Sequence, residues 1–403
     1  MPSRPTTEAT PDSPPQRQTY TPPDRIDTGA IDKGRVAFEP WRGEADKPAG
    51  QPPAPLPPDQ RIGFAVVGLG RLSLEELLPA FASCKKARVT ALVSGTPDKM
   101  QLVAHQHGID PAACFSYGDF EHLQHRADVQ AVFIVLPNAM HREYTERAAA
   151  IGKHVLCEKP LAMSSDEARA MIDACSRAQV KLMTAYRIHH QPHNLRVRQL
   201  IREGIYGRAV TISATNVQTS SDDAARQWRH KHALAGGGAL PDIGLYCLNT
   251  VRFISGEEPV EVMAWQHSPE GDPRFAEVEA TMSFMLRFPS GLVANCHTSY
   301  DAREDKHQRV QLNRATLDLS NAYAYEGQRL FIGERHGNDS GNTELTIAPV
   351  NQFAAEIDHL ADCILEDRTP DTPGEEGLKD HLLMEALYES ARTGRPVKVG
   401  GAA

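Results

Sequence analysis

The stretch Phe64-Ala65-Val66-Val67-Gly68-Leu69-Gly70-Arg71-Leu72-Ser73 decides the fold. Four apolar residues make a short strand, a Gly-x-Gly turn follows, and a helical pattern runs on through Leu72, Leu77, Leu78, Ala80 and Phe81. A strand that ends in Gly-x-Gly and opens a helix is the setting of a dinucleotide fingerprint. Gly68 permits the tight turn, and Gly70 lets a pyrophosphate approach the backbone at the helix N-terminus. The position usually held by a third glycine or alanine is Ser73, still small enough for close helix–strand packing. Leu69, Arg71 and Leu72 lie in the turn, where they are placed against the pyrophosphate and its surroundings.

Outward from this turn the chain alternates. Strands are expected at 89–93, at 131–136, over the residues ending at Lys159, and at 181–185; helices are expected at 98–107, 140–151 and 164–178. Strands alternating with helices mean a doubly wound parallel sheet with right-handed crossovers. From about residue 190 the pattern changes. A helix at 190–203 and another at 239–254 accompany strands at 209–216, 259–267, 277–288, 291–300, 306–313, 316–320, 329–332 and 343–347, with closing helices at 350–367 and 375–393. Successive strands without helices between them mean a mostly antiparallel sheet in an α+β domain. Residues 1–60 hold fourteen of the 29 prolines and read as an extended arm, with Tyr20, Phe38 and Trp41 as apolar anchors. The expected organisation is a Pro-rich arm (1–60), a dinucleotide-binding domain (61–188) and a substrate and oligomerisation domain (189–403).

Composition removes several classes of function. The net charge is −9 and no basic run interleaved with aromatics is present, which argues against nucleic acid. No stretch approaches the eighteen apolar residues of a membrane span. The start, Met1-Pro2-Ser3-Arg4, lacks the apolar segment of a secretory signal. Seven cysteines are scattered without a CxxC, as in reduced intracellular thiols, so a cytoplasmic location is expected. His189, His190 and His193 cluster, but no cysteine or acid spacing completes a metal site, and none is expected.

Three further stretches carry chemistry. The end of the second strand reads Ser94-Gly95-Thr96-Pro97-Asp98-Lys99. A site for NAD wants an acid at that strand end to hold the ribose 2′-hydroxyl. Here Ser94 and Thr96 offer hydroxyls and Lys99 a charge, which favours NADP and its 2′-phosphate. Second, Cys157-Glu158-Lys159-Pro160 ends an apolar strand, and ligands bind at the carboxyl ends of strands in open α/β sheets. The following proline keeps Lys159 out of the helical region. Third, Gly236-Gly237-Gly238 precedes Ala239-Leu240-Pro241-Asp242-Ile243-Gly244-Leu245-Tyr246. A spacing of four puts Asp242 and Tyr246 on one helix face, an acid and a phenol after a loop that can approach a ligand closely.

These motifs, with Pro137-Asn138-Ala139-Met140-His141, occur together in an order that resembles the Gfo/Idh/MocA oxidoreductases. Within that family they are similar to the branch of glucose-fructose and aldose-aldose oxidoreductases. The resemblance spans roughly 61–396 and includes Ala185-Tyr186-Arg187, Gln227-Trp228-Arg229 and Thr393-Gly394-Arg395-Pro396. Most of the family has histidine where this chain has Tyr246; tyrosine is what the sugar branch has. The resemblance implies cofactor contacts from Pro137, Asn138, His141, Glu158, Arg187, Trp228 and Arg229. Read from the residues alone, His141 could equally be a surface residue at a helix start and Trp228 a core residue. It also implies subunit packing, hence a homodimer or homotetramer, and a sugar as substrate.

The implied chemistry is removal of a hydride from a sugar carbon and of a proton from its hydroxyl, which needs a general base. A tyrosine ordinarily titrates near ~10, and a neighbouring cation favours its charged form. Lys159 is the candidate cation, through charge and a hydrogen bond to the same reacting hydroxyl, with Asp242 accepting from a sugar hydroxyl. The expected function is NADP-dependent oxidation of an aldose to its lactone and reduction of a second sugar, with the cofactor retained under the arm. The alternatives are an ordinary dehydrogenase with exchangeable NADP and a regulator that senses nicotinamide cofactors without chemistry.

Overall fold

The computed structural model describes residues 30–32, 35–37 and 54–400. The described residues of the first 54 form one small antiparallel ladder, β1 (Ala30–Asp32) with β2 (Arg35–Ala37), in which Ile31 pairs with Val36. The anchors Tyr20, Phe38 and Trp41 lie outside the described residues.

From residue 55 the chain builds two sheets. The first has six parallel strands: β3 (Ile62–Val67), β4 (Ala87–Val93), β5 (Cys114–Phe115), β6 (Ala131–Ile134), β7 (His154–Glu158) and β8 (Leu182–Ala185). Their spatial order is β5-β4-β3-β6-β7-β8, the order of a dinucleotide-binding doubly wound sheet. β3 and β6 are buried along their whole length, because helices cover both faces; this explains their unbroken apolar sequences. The direction of winding reverses between β3 and β6, and the crevice there is where such sheets bind ligands.

The turn after β3 shows why its residues are what they are. Gly68 has φ +98°, and a Cβ on it would lie 2.3 Å from the carbonyl oxygen of Val135. Ser73 is buried, and its hydroxyl donates to the Gly68 carbonyl at 2.6 Å. The serine at the third fingerprint position thus ties the first turn of the helix to the glycine turn. That helix opens with a wide π-helical turn, Ser73–Leu77, and continues as Leu78–Ser83.

The second sheet has nine strands: β9 (Ala209–Thr219), β10 (Glu261–His267), β11 (Thr281–Arg287), β12 (Val293–Ser299), β13 (Asp301–Leu312), β14 (Ala315–Ser320), β15 (Arg329–His336), β16 (Asp339–Leu345) and β17 (Val397–Lys398). The order is β16-β15-β14-β13-β9-β12-β11-β10-β17. Every pairing is antiparallel except β9 with β12. β11 and β12 form the hairpin expected around Pro289-Ser290-Gly291. The helices Pro192–Glu203, Leu245–Ser255 and Gly374–Thr393 supply the apolar layer behind this sheet through Val197, Leu200, Leu248, Val251, Leu383 and Leu387.

The helix Gln352–Leu365 does not join that layer. Its Phe353, Ala354, Ile357, Leu360 and Ala361 are buried in the core of the first sheet, against β3, β4 and β7. It crosses back over the parallel sheet and brings its N-terminal turn to the strand ends.

Candidate active site

The carboxyl ends of β3, β4, β6, β7 and β8 open into a cavity of about 820 Å³. Of the candidate catalytic and cofactor-binding residues, all but His141 line it. His141 is fully buried beneath the floor, with Nδ1 2.9 Å from the Pro160 carbonyl and Nε2 2.9 Å from that of Leu136. Both ring nitrogens are occupied by backbone, so the imidazole holds the Lys159-Pro160 turn to the end of β6 rather than meeting a ligand. Burial pushes its pKa down.

At one end of the cavity lie the glycine turn and the end of β4. A Cβ on Gly70 would meet no atom within 4 Å, which leaves the space a pyrophosphate needs. Lys99, from the helix Pro97–Gln106, donates to the Leu69 carbonyl at 2.8 Å. Ser94 is buried, and its hydroxyl accepts weakly from the Thr96 N–H at 3.4 Å. Arg71 is exposed and only loosely paired with Glu75 at 3.6 Å.

At the other end the strand-end lysine finds its partner. Lys159 Nζ donates to Asp242 twice, to the backbone carbonyl at 2.6 Å and to Oδ1 at 2.9 Å. Asp242 Oδ2 accepts from the Tyr300 hydroxyl at 2.5 Å and lies 3.3 Å from Arg229 Nε. Burial would raise the Asp242 pKa, but Lys159, Arg229 and the Tyr300 hydroxyl outweigh it and hold the carboxyl well below its ordinary range. Burial would lower Lys159; the charge of Asp242, with Tyr246 and Glu158, turns the balance upward. Each member keeps the other ionised.

One expectation needs correction here. Asp242 and Tyr246 do not share the face of one regular α-helix: Asp242 sits in a π-helical turn, Leu240–Gly244, and Tyr246 in the helix Leu245–Ser255. Such wide turns recur at functional sites because they re-aim backbone and side chains. Lys159 stands between Asp242 and Tyr246. Its hydrogen bonds go to Asp242, and it meets Tyr246 over the ring face, with Nζ 4.9 Å from the centroid. The Tyr246 hydroxyl accepts from Arg187 Nε at 3.2 Å. Arg187 is fixed by the Tyr323 carbonyl at 2.6 Å and Gln352 Oε1 at 2.6 Å, so its position depends on the returning helix.

The loop that presents Asp242 is pinned from below. Glu279 is buried and accepts from the N–H groups of Gly238 and Leu240, both at 2.8 Å, and from the Tyr388 hydroxyl at 3.1 Å. A Cβ on Gly238 would lie 2.0 Å from the Glu279 carbonyl oxygen, so glycine is required there.

The sequence reading did not single out Asn216, Tyr300, Glu279 or Glu356. Asn216 lines the cavity; its Nδ2 donates to the Ile243 carbonyl at 2.9 Å, and its buried Oδ1 has no partner among the described residues. Trp228 also lines the cavity, with the Arg229 guanidinium 4.6 Å from its ring centroid. Among the described residues, no group of three or more His, Cys, Asp or Glu side chains is arranged to hold a metal. No helix there is long and apolar enough to cross a membrane.

Residues 62–186 match the model of an oxidoreductase family with an NAD-binding Rossmann fold, GFO_IDH_MocA, and residues 194–316 match the GFO/IDH/MocA C-terminal domain. The chain belongs to the Gfo/Idh/MocA oxidoreductase family. It is 30% identical to the D-xylose 1-dehydrogenase [NADP(+)] of Haloarcula marismortui, over 85% of this chain and 94% of that one. The crystal structure of the aldose-aldose oxidoreductase from Caulobacter crescentus complexed with glycerol matches with 42% identity and a TM-score of 0.80. That match covers 84% of this chain and all of the other. A levoglucosan dehydrogenase complex with NADH and levoglucosan, at 21% identity and TM-score 0.75, shares the fold. The chain is therefore an oxidoreductase whose named relatives act on sugars.

Proposed function

We propose that this oxidoreductase uses NADP that stays bound, oxidises an aldose to its lactone and reduces a second sugar, fructose or another aldose. The observation that carries the reading is the convergence of Lys159, Asp242, Tyr246 and Arg187 in one cavity with the Gly68–Gly70 turn. In a sheet of this order the pyrophosphate belongs at that turn and the adenosine ribose at the end of β4. The residues at the ends of β6 and β7, Lys159 among them, would then hold the nicotinamide. Ser94, Thr96 and Lys99 suit a 2′-phosphate, and the xylose dehydrogenase relatives are named for NADP(+).

When bound, NADP supplies the hydride acceptor and donor. The protein's own residues do the rest. Asp242, kept ionised by Lys159 and Arg229, accepts a hydrogen bond from a sugar hydroxyl. The unpartnered Asn216 Oδ1 is a second acceptor. The Tyr246 oxygen, oriented by Arg187, takes the proton of the reacting hydroxyl as the phenolate during oxidation and, as the phenol, gives one to the carbonyl during reduction. Lys159 stays charged and sets the field over the Tyr246 ring.

The likeness to an aldose-aldose oxidoreductase supports the two-sugar reaction. The likeness to xylose dehydrogenases supports a second reading, an ordinary dehydrogenase with exchangeable NADP. A sensor without chemistry has no use for the Lys159–Asp242 pair beside Tyr246. The domain organisation given above, a cytoplasmic location, and a homodimer or homotetramer belong to the same proposal. The purified protein decides between the two enzymatic readings. Retained cofactor shows a reduced-nicotinamide absorbance that rises with an aldose and bleaches with fructose or a second aldose. A protein that purifies without nucleotide and needs added NADP for every turnover refutes retention.

A further inference from the structure

The helix Gln352–Leu365 carries a carboxyl where the core would be expected to hold an apolar group. Glu356 has no exposed surface, yet it lines the cavity, and neither of its carboxyl oxygens has a hydrogen-bond partner among the described residues. A buried carboxylate left unpaired is costly, so the group is neutral or meets a partner that enters the cavity. Glu158, at the end of β7, lines the same cavity; among the described residues its Oε2 accepts only the Lys159 N–H, at 3.2 Å.

We propose that Glu158 and Glu356 are a proton-binding pair on the nicotinamide side of the cavity, holding one more proton when the bound cofactor is reduced than when it is oxidised. This rests on the reading of the cavity as a nicotinamide dinucleotide site. Burial raises Glu158 to about 7, partly offset by Lys159 and Arg187. Burial, and then the charge of Glu158, raise Glu356 well above the ordinary carboxyl range, against Arg187. The other charged and titratable groups around the pair are Glu76 from the turn 73–77, Arg229 and Tyr325 across the cavity, and His359 one turn along the helix, with the His190 ring tilted against it at 48°. Arg187 and Lys159 are committed to Tyr246 and Asp242. The pair is therefore the part of the floor free to answer a change of charge.

The charge that changes is the nicotinamide's. Oxidised, the ring is a cation and favours the ionised pair; reduced, it is neutral and that support is gone. In sugar oxidation two electrons and a hydrogen leave the carbon as hydride, and the hydroxyl loses a proton. Tyr246 takes that proton first and must pass it on to act again; uptake of the proton by the pair balances the step, and reduction of the second sugar draws it back through Tyr246. Hydride and proton are then both held between the half-reactions.

The test is calorimetric titration of the nucleotide-free protein with NADP⁺ and with NADPH, near pH 7, in buffers of different ionisation enthalpy. NADP⁺ should release up to one proton more than NADPH. The NADPH-to-NADP⁺ ratio of dissociation constants should then rise by up to tenfold per pH unit, and Glu356→Gln should flatten that rise. Equal proton counts for the two nucleotides would overturn the pair and leave the cofactor site standing; failure of both nucleotides to bind would overturn both. Should Glu356→Gln fail to fold, the infrared difference between reduced and oxidised wild-type holoprotein decides. Reduction must bring up the carbonyl stretch of a protonated carboxyl, and its absence refutes the pair.

Discussion

Asp242→Asn removes the carboxylate that Lys159, Arg229 and Tyr300 share, and leaves Lys159 in a site where its side chain is only 11% exposed. Removing one partner of a buried ion pair costs about 3–5 kcal/mol, because the remaining charge is stranded. Asparagine keeps one acceptor for Lys159, and Asp242 itself is 22% exposed, so the lower end applies, about 3 kcal/mol. With an m-value of about 3 kcal/mol per molar urea, the midpoint falls by about 1 M. The sign with pH follows from Asp242, whose folded-state pKa is depressed. Its stabilisation is complete above the ordinary value of about 3.9 and drains as pH falls toward the folded one. The deficit of the variant should be largest near neutrality and narrow below about pH 4. Urea unfolding of both proteins across that range is the assay. A variant within about 1 kcal/mol of its parent at pH 7, or a deficit that does not change in acid, would refute the mutual ionisation of Lys159 and Asp242.

Tyr246→Phe should reduce turnover by at least about 10², the scale of acid–base catalysis, with nucleotide binding retained; near-normal turnover removes Tyr246 from the chemistry. Ser94→Asp should weaken NADP relative to NAD in parallel titrations, since a carboxylate repels the 2′-phosphate; an unchanged ratio would place the phosphate elsewhere. Gly68→Ala puts a Cβ 2.3 Å from the Val135 carbonyl at φ +98°, so nucleotide binding should be lost or the melting temperature sharply lowered. Glu279→Gln turns an NH₂ toward the N–H groups of Gly238 or Leu240 and should cost about 1–3 kcal/mol in urea unfolding.

The order of strands and helices was legible because periodicity and the Gly68–Gly70 turn are local signals. The pairing at the site was less so. Lys159 and Tyr246 were recognisable, but which of them Asp242 serves depends on the wide turn at Leu240–Gly244, and no spacing rule predicts such a turn. His141 looked like a ligand contact because its motif lies beside the cavity, and only its two carbonyl neighbours show otherwise. Asn216 lies mid-strand on β9, where an inward polar residue is indistinguishable from an outward one without the register. Glu356 did leave a trace: it stands between Phe353, Ile357 and Leu360 on the apolar stripe of its helix, a charge on the face that ought to be buried.

The returning helix has a consequence for how the chain is made. Synthesis completes the parallel sheet at Ala185, but the core beneath it lacks Phe353, Ile357, Leu360 and Ala361 until residue 361 has been added. At ribosomal speed the roughly 175 residues between take about 10–35 s. Throughout that interval the first sheet presents an uncovered apolar strip, and Arg187 lacks the Gln352 side-chain oxygen that fixes it beside Tyr246. The nucleotide-binding unit is begun first and finished last, so a truncation or stalled chain ending before residue 352 would yield a sticky intermediate rather than a smaller working domain.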